Sequence, residues 1–386
     1  MKCASLHTFE VDNPEVAVQE IQDQLSGKLD LLAHAAGVVM CNPEFIESGV
    51  LQAVAESLPF ELAGVTTASQ AVNDDLGEFI LTIFVLTSDD VQFVAGVTES
   101  VAEDVDGPVR GAYAAILAQK QHPGKPGLAL VFPPFGLHAG DRYVQAWENV
   151  IPGVPLFGTC SIDDNADFSE CETIHNGRSH KGAMAYLLCY GDVNPRFLIA
   201  TLTKVSPLST KAEVTKGSAS CVNEINHMSA FDFFDEFNYT ESVTFTPFMI
   251  DFLKRDDYDG VPVIRGHAAF TDDGSAIFYG DVHEGSTITI MLCDPDDIEE
   301  TTRQKLEEVN EMPDVNGVLL FPCVVRRAAL IGANKPLLEL ESARSTIRPD
   351  IPYMMGYAGG EICPTSMRDG VPTNRFHNYS LVILVL

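Results

Sequence analysis

The feature that most constrains this chain is a unit that recurs three times. Each copy runs apolar strand, loop, helix, proline, second apolar strand, then a loop of small or polar residues. In the first copy a strand ends at residues 38–40, a loop occupies 41–44, and Ile46, Val50, Val54 and Leu58 recur four apart on one helical face until Pro59. Residues 62–65 then lead into the loop 66–70. The second copy has a strand at 128–132, a loop at 133–138, a helix carrying Tyr143, Val144, Trp147 and Ile151, then Pro152 and a strand at 154–158 that runs into 159–165. The third has a strand at 318–321, a loop at 323–327, a weaker helix through Leu337, Leu340 and Ile347, prolines 349 and 352, and a strand at 353–357 that runs into 358–364.

A crossover of this kind joins parallel strands with a right-handed connection. The loops after both strands of each unit then share one carboxyl edge, where ligands of such sheets bind. Residues 79–86 with 93–97, and 183–190 with 197–202, read as hairpins across short polar turns, and the third unit keeps only 379–386. Residues 204–220 are polar and rich in Ser, Thr and Lys, which places a boundary near 210. Domain 1–210 then holds two units, and domain 211–386 holds the third plus an inserted hairpin and helices. In that insertion Ser229 and Asp232 form a capping box. Residues 276–279 and 287–292 read as another hairpin, and Asp294-Pro295 opens a helix. The expected class is α/β, with α+β as the alternative: mixed sheets packed together, with helices outside.

Composition narrows the function classes. Of 386 residues 46% are hydrophobic and 20% charged, which fits a folded soluble protein. The net charge of −31 repels nucleic-acid phosphates and anionic membranes, and no run of Lys or Arg offsets it. No apolar stretch reaches the ~18 residues of a membrane span, and the start lacks the apolar core of a signal peptide. Nine cysteines lie apart without a C-x-x-C pair, so a reduced cytoplasmic protein without disulfide or zinc framework is expected. Phosphate-loop, dinucleotide, zinc-protease and nucleophile-elbow motifs are absent. The run 163–167 resembles a calcium loop but lacks its Gly and Glu. The sequons at Asn238 and Asn378 mean nothing in the cytoplasm. No metal and no cofactor is expected.

Several motifs recur in a definite order. They are Gly64-Val65-Thr66-Thr67-Ala68; Phe157-Gly158-Thr159 with Asp163-Asp164; Val222-Asn223-Glu224-Ile225-Asn226; Pro262-Val263-Ile264-Arg265 with Glu284-Gly285-Ser286; Cys323-Val324-Val325-Arg326; Gly356-Tyr357 with Gly360-Glu361-Ile362; and Phe376-His377-Asn378. In order and spacing the chain resembles the FIST family, a FIST N domain followed by a FIST C domain, from about residue 30 to 386. The resemblance implies a sensory pair of domains that binds a small molecule, with amino acids or their derivatives as suggested ligands. With little before residue 30 and nothing after the last strand, a freestanding sensor acting on a separate signalling partner is expected. The chain departs from the family at Ser69-Gln70, Arg327 and Tyr379-Ser380, which leaves the ligand open.

An amino-acid-like ligand needs a cation for its carboxylate and an anion for its ammonium. Arg326 or Arg327 offers a guanidinium fork, Glu361 or Asp163 an anion, Thr66, Thr67, Thr159 and Ser161 hydroxyls, and Gly360 a close backbone approach. Cys323, Tyr357 and Asn378 complete the expected ligand-binding set. The competing structural readings pair Arg326 with Glu361, use Thr66 and Thr67 as turn caps, and spend His377 and Asn378 between strands. An enzyme is the second reading. Cys323 precedes two arginines whose charge would lower its pKa, with His377 as a base, or the carboxylates Asp163, Asp164 and Glu361 act. A scaffold with an acidic surface is the third. The sequence leaves the oligomeric state open.

Overall fold

The computed structural model describes residues 1–119, 124–165, 168–207, 209–237, 239 and 246–386. Ala166 and Asp167 of the calcium-like run, and Asn238 and Thr240 of the first sequon, lie outside them. The first repeat comprises β1 (Lys2–Thr8), α1 (Pro14–Lys28), β2 (His34–Cys41), α2 (Glu44–Glu47), α3 (Val50–Ser57), β3 (Glu61–Thr66), the hairpin β4 (Gln70–Val72) and β5 (Leu76–Gly77), and β6 (Leu81–Ser88). The second comprises β7 (Gln92–Val97), α4 (Asp106–Gln119), β8 (Leu128–Phe132), α5 (Gly140–Val150), β9 (Leu156–Thr159), the hairpin β10 (Thr173–His175) and β11 (Arg178–His180), and β12 (Ala185–Tyr190).

The third repeat begins with β13 (Arg196–Ala200) and is interrupted. The interruption holds β14 (Ala212–Ser218), β15 (Cys221–Ile225), β16 (Met228–Ser229), α6 (Ala230–Asp235), β17 (Pro247–Asp251), β18 (Val263–Phe270), β19 (Ala276–Phe278) and β20 (Thr287–Ile290). The repeat resumes with α7 (Pro295–Glu311), β21 (Val318–Pro322), α8 (Val324–Gly332), α9 (Leu338–Thr346), β22 (Tyr353–Gly356), the hairpin β23 (Glu361–Arg368) and β24 (Val371–His377), and β25 (Leu381–Val385).

Three six-stranded sheets result, in the orders β1-β6-β2-β3-β10-β11, β7-β12-β8-β9-β23-β24 and β13-β25-β21-β22-β4-β5. Each has one parallel pair at its centre, β2 with β3, β8 with β9 and β21 with β22, flanked by antiparallel neighbours. The orders coincide position by position, so the repetition is one of tertiary structure. Segments from both sides of residue 210 contribute to the second and third sheets.

Strand alternation divides the burial. Val38 and Met40, Leu128, Leu130 and Phe132, and Leu319 and Phe321 face one central core shared by all three sheets. The opposite faces take the helices: Val39 meets α1 and α3, Val131 meets α4 and α5, and Leu320 meets α7 and α9. Because both faces are buried, these strands read as continuous apolar runs.

Two hairpin expectations are corrected. Strands β6 and β7 do not pair: β6 pairs with β1 and β2, whereas β7 pairs with β12 in the next sheet. Likewise β13 pairs with β25 and not with β12. The polar turns therefore carry the chain between sheets, and strands buried on both faces gave no sign of which neighbour they would take. The hairpins that do form, β4–β5, β10–β11 and β23–β24, each leave their own repeat to edge another sheet.

The interruption is a seven-stranded sheet closed by pairing of β14 with β15, a small barrel around Phe233, Phe234, Phe248, Phe252 and Phe278. Its 276–279 and 287–292 segments also do not pair with each other; β19 joins β18 and β20 joins β17. Of the capping box at Ser229, the Ser229 Oγ half forms: it accepts the Asp232 N–H at 3.1 Å and donates to the Asp232 carboxylate at 2.7 Å, and Asp294 caps α7. The barrel is fastened to the second sheet's layer by the fully buried Arg265, which donates to both Asp141 oxygens (3.1 and 2.9 Å) and to the Phe376 and Asp281 carbonyls.

Candidate functional site

The carboxyl ends of the three parallel pairs meet in a closed ring of hydrogen bonds. After each first strand a carbonyl accepts from the loop after its partner: Thr67 N to Cys41 O, Ser161 N to Pro133 O, Ala358 N to Pro322 O. The same loops then join across repeats: Thr66 N to Glu172 O, Cys160 N to Gly360 O, Tyr357 N to Ser69 O. Each of these acceptors immediately precedes an exchanged hairpin, so hairpin exchange and ring closure are one device.

Most of the expected site residues are occupied in building this ring. Thr66 Oγ1 bonds the Glu172 backbone, Thr67 Oγ1 accepts from Gln70 Nε2 at 2.5 Å, and Thr159 Oγ1 donates to Gly360 O at 2.9 Å. Ser161 Oγ accepts the Phe135 N–H, and Asp163 accepts the N–H groups of Asn165 and Glu170. All five are buried.

The arginines are placed differently from the sequence reading. Residues 324–327 are the first turn of α8, not a loop; the β-branched Val324-Val325 concealed a helix whose buried face carries Arg326 and Leu330. Arg326 is fully buried and its partner is Glu339, not Glu361. Nη2 to Glu339 Oε1 is 2.8 Å, Nη2 also donates to Thr302 at 2.8 Å, and Nη1 donates to the Tyr379 carbonyl at 3.1 Å. The Tyr357 hydroxyl donates to the same Glu339 at 3.2 Å. Arg327 pairs with the half-exposed Glu78 at 2.7 Å. Glu339 was missed; its signal was an acid four residues before Ala343, on the apolar face of α9.

A small cavity of about 20 Å³, room for about one water, lies where the loops after Phe321 and Tyr357 meet the barrel. Its walls are apolar and aromatic: Phe135, Phe168, Tyr279, Tyr379, Val324 and Val325. Cys323, Gly359, Gly266 and Asn378 complete the lining. Phe135 stacks near Tyr279 with ring centroids 5.5 Å apart and meets Phe168 edge-on at 5.4 Å. Asn378 Oδ1 accepts the Gly266 N–H at 3.2 Å, which ties the barrel to the turn before β25. A Cβ on Gly359 would stand 2.7 Å from the Phe135 ring and 2.9 Å from Ser161 O, so a bare backbone is needed there.

Cys323 is the N-cap of α8 and makes no side-chain capping hydrogen bond. Beside it lies Glu361, fully buried. The carboxyl approaches the Cys323 thiol and the Ser380 backbone, yet neither oxygen closes a hydrogen bond of ordinary geometry. Burial, and then the carboxyl's charge, push the Cys323 thiol well above its ordinary range; burial likewise raises Glu361 far above the usual carboxylate range. The direction for Cys323 is opposite to the one expected from neighbouring arginines, because burial dominates and the two arginines are directed to Glu339 and Glu78. His377 is spent elsewhere: its ring Nε2 bonds the Cys363 carbonyl at 3.0 Å, and burial pushes its pKa down to about 4.

Among the described residues no helix is long and apolar enough to cross a membrane, and no group of His, Cys, Asp and Glu has metal-site geometry. No curated protein matches the chain. Residues 35–228 match the FIST N domain and residues 230–364 the FIST C domain, domains generally described as small-ligand-binding sensory modules of signalling proteins. With the two in tandem along the sequence that builds the ring and its cavity, this chain belongs to the FIST family.

Proposed function

We propose that this chain is a cytoplasmic small-molecule sensor whose ligand occupies the cavity between the start of α8, Gly359, the turn before β25 and the barrel, and that it signals to a separate partner protein. The observation that carries this reading is the cavity's position: a carboxyl-edge site lined by two repeats and roofed by the barrel. A ligand there touches three parts of the molecule at once, so its binding would alter how they pack.

The lining favours an uncharged ligand with a flat apolar body. No lysine or arginine lines the cavity among the described residues. Arg326 is consumed by Glu339, so a zwitterion would find no free guanidinium there. A carboxylate metabolite is the second reading, and the polar side chain it would meet in the lining is Asn378. Catalysis by Asp163 has no support, since both its oxygens are tied within its own loop.

Thermal shift with L-amino acids, 2-oxo acids and neutral aromatic ketones, on the wild type and on the cavity-filling Val324→Phe variant, tests both readings. A ligand at 100 times its Kd stabilises by about 2.7 kcal/mol. Neutral aromatics should raise the Tm of the wild type and not of the variant. A shift confined to acids would select the carboxylate reading, and equal shifts in both proteins would move the site elsewhere.

A further inference from the structure

The three helix layers occupy equivalent places, so each serves as a control for the others. Helices α1, α4 and α7 lie on the outer faces of the three sheets, beside α2 and α3, α5, and α8 and α9 respectively. Two of the layers present the acids that a net charge of −31 implies. Glu15, Glu20 and Asp23 are exposed on α1, and Glu44, Glu47 and Glu56 on α2 and α3. In the third layer Asp296, Glu300, Glu307 and Glu311 are exposed on α7, and Glu341 on α9.

The second layer differs. Among the described residues of α4 and α5, no Asp or Glu is exposed. Asp141 is held by the buried Arg265, Glu148 accepts from the Asn374 amide at 3.1 Å, and Asp106 accepts from Arg142 and Asn149 at 3.3 and 3.2 Å. The outward face of α4 instead carries Gly107, Arg110, Gly111, Ala114, Leu117 and Ala118, all exposed, with Leu117 at 47%. At about 100° per residue these positions all lie within about 60° of Ala114, so they form one face centred on it. On α5 the exposed neighbours are Arg142, Gln145 and Asn149. Contact with water does not explain such a face, because the two equivalent helices meet water with a charged one.

We propose that the α4 face is where two copies of this chain associate, with their α4 helices antiparallel about a two-fold axis beside Ala114. Charge selects the occupant. Two molecules that each carry −31 repel wherever acid faces acid, and this is the helix layer without exposed acid. A two-fold contact also needs a surface that complements itself. Ala114 meets its own copy at the centre. Leu117 lies over the aliphatic stem of Arg110 from the other copy, and Gly111 lies opposite Ala118. Nothing stands within 4 Å of where a Gly111 Cβ would be, so that position is open to the second helix. The ends of α4 decide the direction. Glu103 and Asp104, exposed just before the helix, would meet their own copies in a parallel pair. In an antiparallel pair the two acidic ends stand roughly 20 Å apart, the length of the helix and well beyond the Debye length of ~8 Å.

Sedimentation velocity on the full chain, from about 1 μM to 1 mM, tests the contact. Two short helices present less than a standard interface of ~1,600 Å², so a reversible monomer–dimer equilibrium is expected. Raising the salt from about 0.05 M to 0.5 M should tighten the dimer, because it screens the repulsion between the two net charges. Ala114→Glu gives α4 the kind of residue that its equivalents carry. The wild-type Tm should be kept, since Ala114 is exposed and Glu is a good helix former. The dimer Kd should rise at least about tenfold. Gln22→Glu makes the same change of charge on the exposed face of α1 and should leave the Kd within about twofold. A monomer at every concentration and both salts overturns the proposal. A dimer untouched by Ala114→Glu places the contact elsewhere and overturns it too, as does equal weakening by Gln22→Glu, which is an effect of net charge alone. A dimer that dissociates as the salt rises would mean that Arg110 and Arg142 hold acids from a different face of the second copy, and would reject the two-fold contact.

Discussion

Arg326 shows how a residue can be conspicuous in a sequence for a reason other than the one first suspected. Its guanidinium, Glu339, Thr302 and Tyr357 form one buried network that pins α8 to α7, α9 and the end of β22. Truncation would leave Glu339 charged and unpaired in the interior. Arg326→Ala is therefore expected to cost about 3–5 kcal/mol of unfolding free energy in urea, and Arg326→Met with Glu339→Leu should recover most of it. A mild loss in the single variant, with ligand binding abolished, would return Arg326 to the binding site. The residues of the ring loops were legible as a group, because small and polar residues after apolar strands mark a carboxyl edge. Their individual duties were not. Thr66 and Thr159 are spent on backbone groups 106 and 201 positions away, and nothing local in a sequence records such a partner.

At the scale of elements the barrel is the one addition to the repeat, and its attachment is electrostatic. Asp141, at the start of α5, accepts from Arg265 and from the Asp281 backbone N–H. The Asp281 carboxyl sits close by, with Arg255, Arg142 and His283 also facing it. Burial first, and then the Asp141 charge, raise its pKa from 3.8 to about 6. A raised carboxyl pKa means that the folded state holds the proton more tightly than the unfolded one. This group's stabilising contribution is complete below pH ~4 and is lost as the pH climbs through 6. Asp281→Asn should remove that dependence. Relative to the wild type it should gain about 1–2 kcal/mol on going from pH 5 to pH 7.5, and paired urea titrations would show it. An unchanged difference between the two pH values would mean that Arg265 neutralises Asp281 fully. Elements with strong local signals, such as α7 behind Asp294-Pro295 and α6 behind Ser229, were readable from sequence. The barrel's pairings were not, because short strands of similar composition leave register and neighbour to be settled by the closed sheet.

The whole molecule carries a cyclic symmetry that the chain's order disguises. Going from β6 to β7 the chain passes from the first sheet to the second, and from β12 to β13 from the second to the third. After β25 in the third sheet, the strand that completes the cycle at the edge of the first is β1, at the other end of the chain. The sequence reading recovered three strand–helix–strand units yet started the first at residue 30. β1 and α1 lie ahead of the motif, and their counterparts in the third repeat, β13 and α7, are separated by the barrel. If the symmetry is physical, the point at which the cycle is cut is arbitrary. Met1 and Leu386 line the same surface groove, so a short bridge can join them. A linker of about five residues matches an ordinary connection between elements, and the exposed Asp89-Asp90 turn, which plays the same linking part between the first and second sheets, is the place to open the chain. The permutant that begins at Asp90 and ends at Asp89 should fold with the wild-type far-ultraviolet spectrum. Its Tm should fall by no more than about 5–10 °C, a few kcal/mol for a chain of this size. It should keep the cavity beside Cys323 intact, read as an unchanged Tm response to the neutral aromatic ketones that shift the wild type. Aggregation of this permutant, while a second one opened in the 191–195 link folds, would show that the covalent β6–β7 link is needed and that the three links are not interchangeable. Failure of both would make the resemblance among the three sheets a matter of architecture without interchangeable parts.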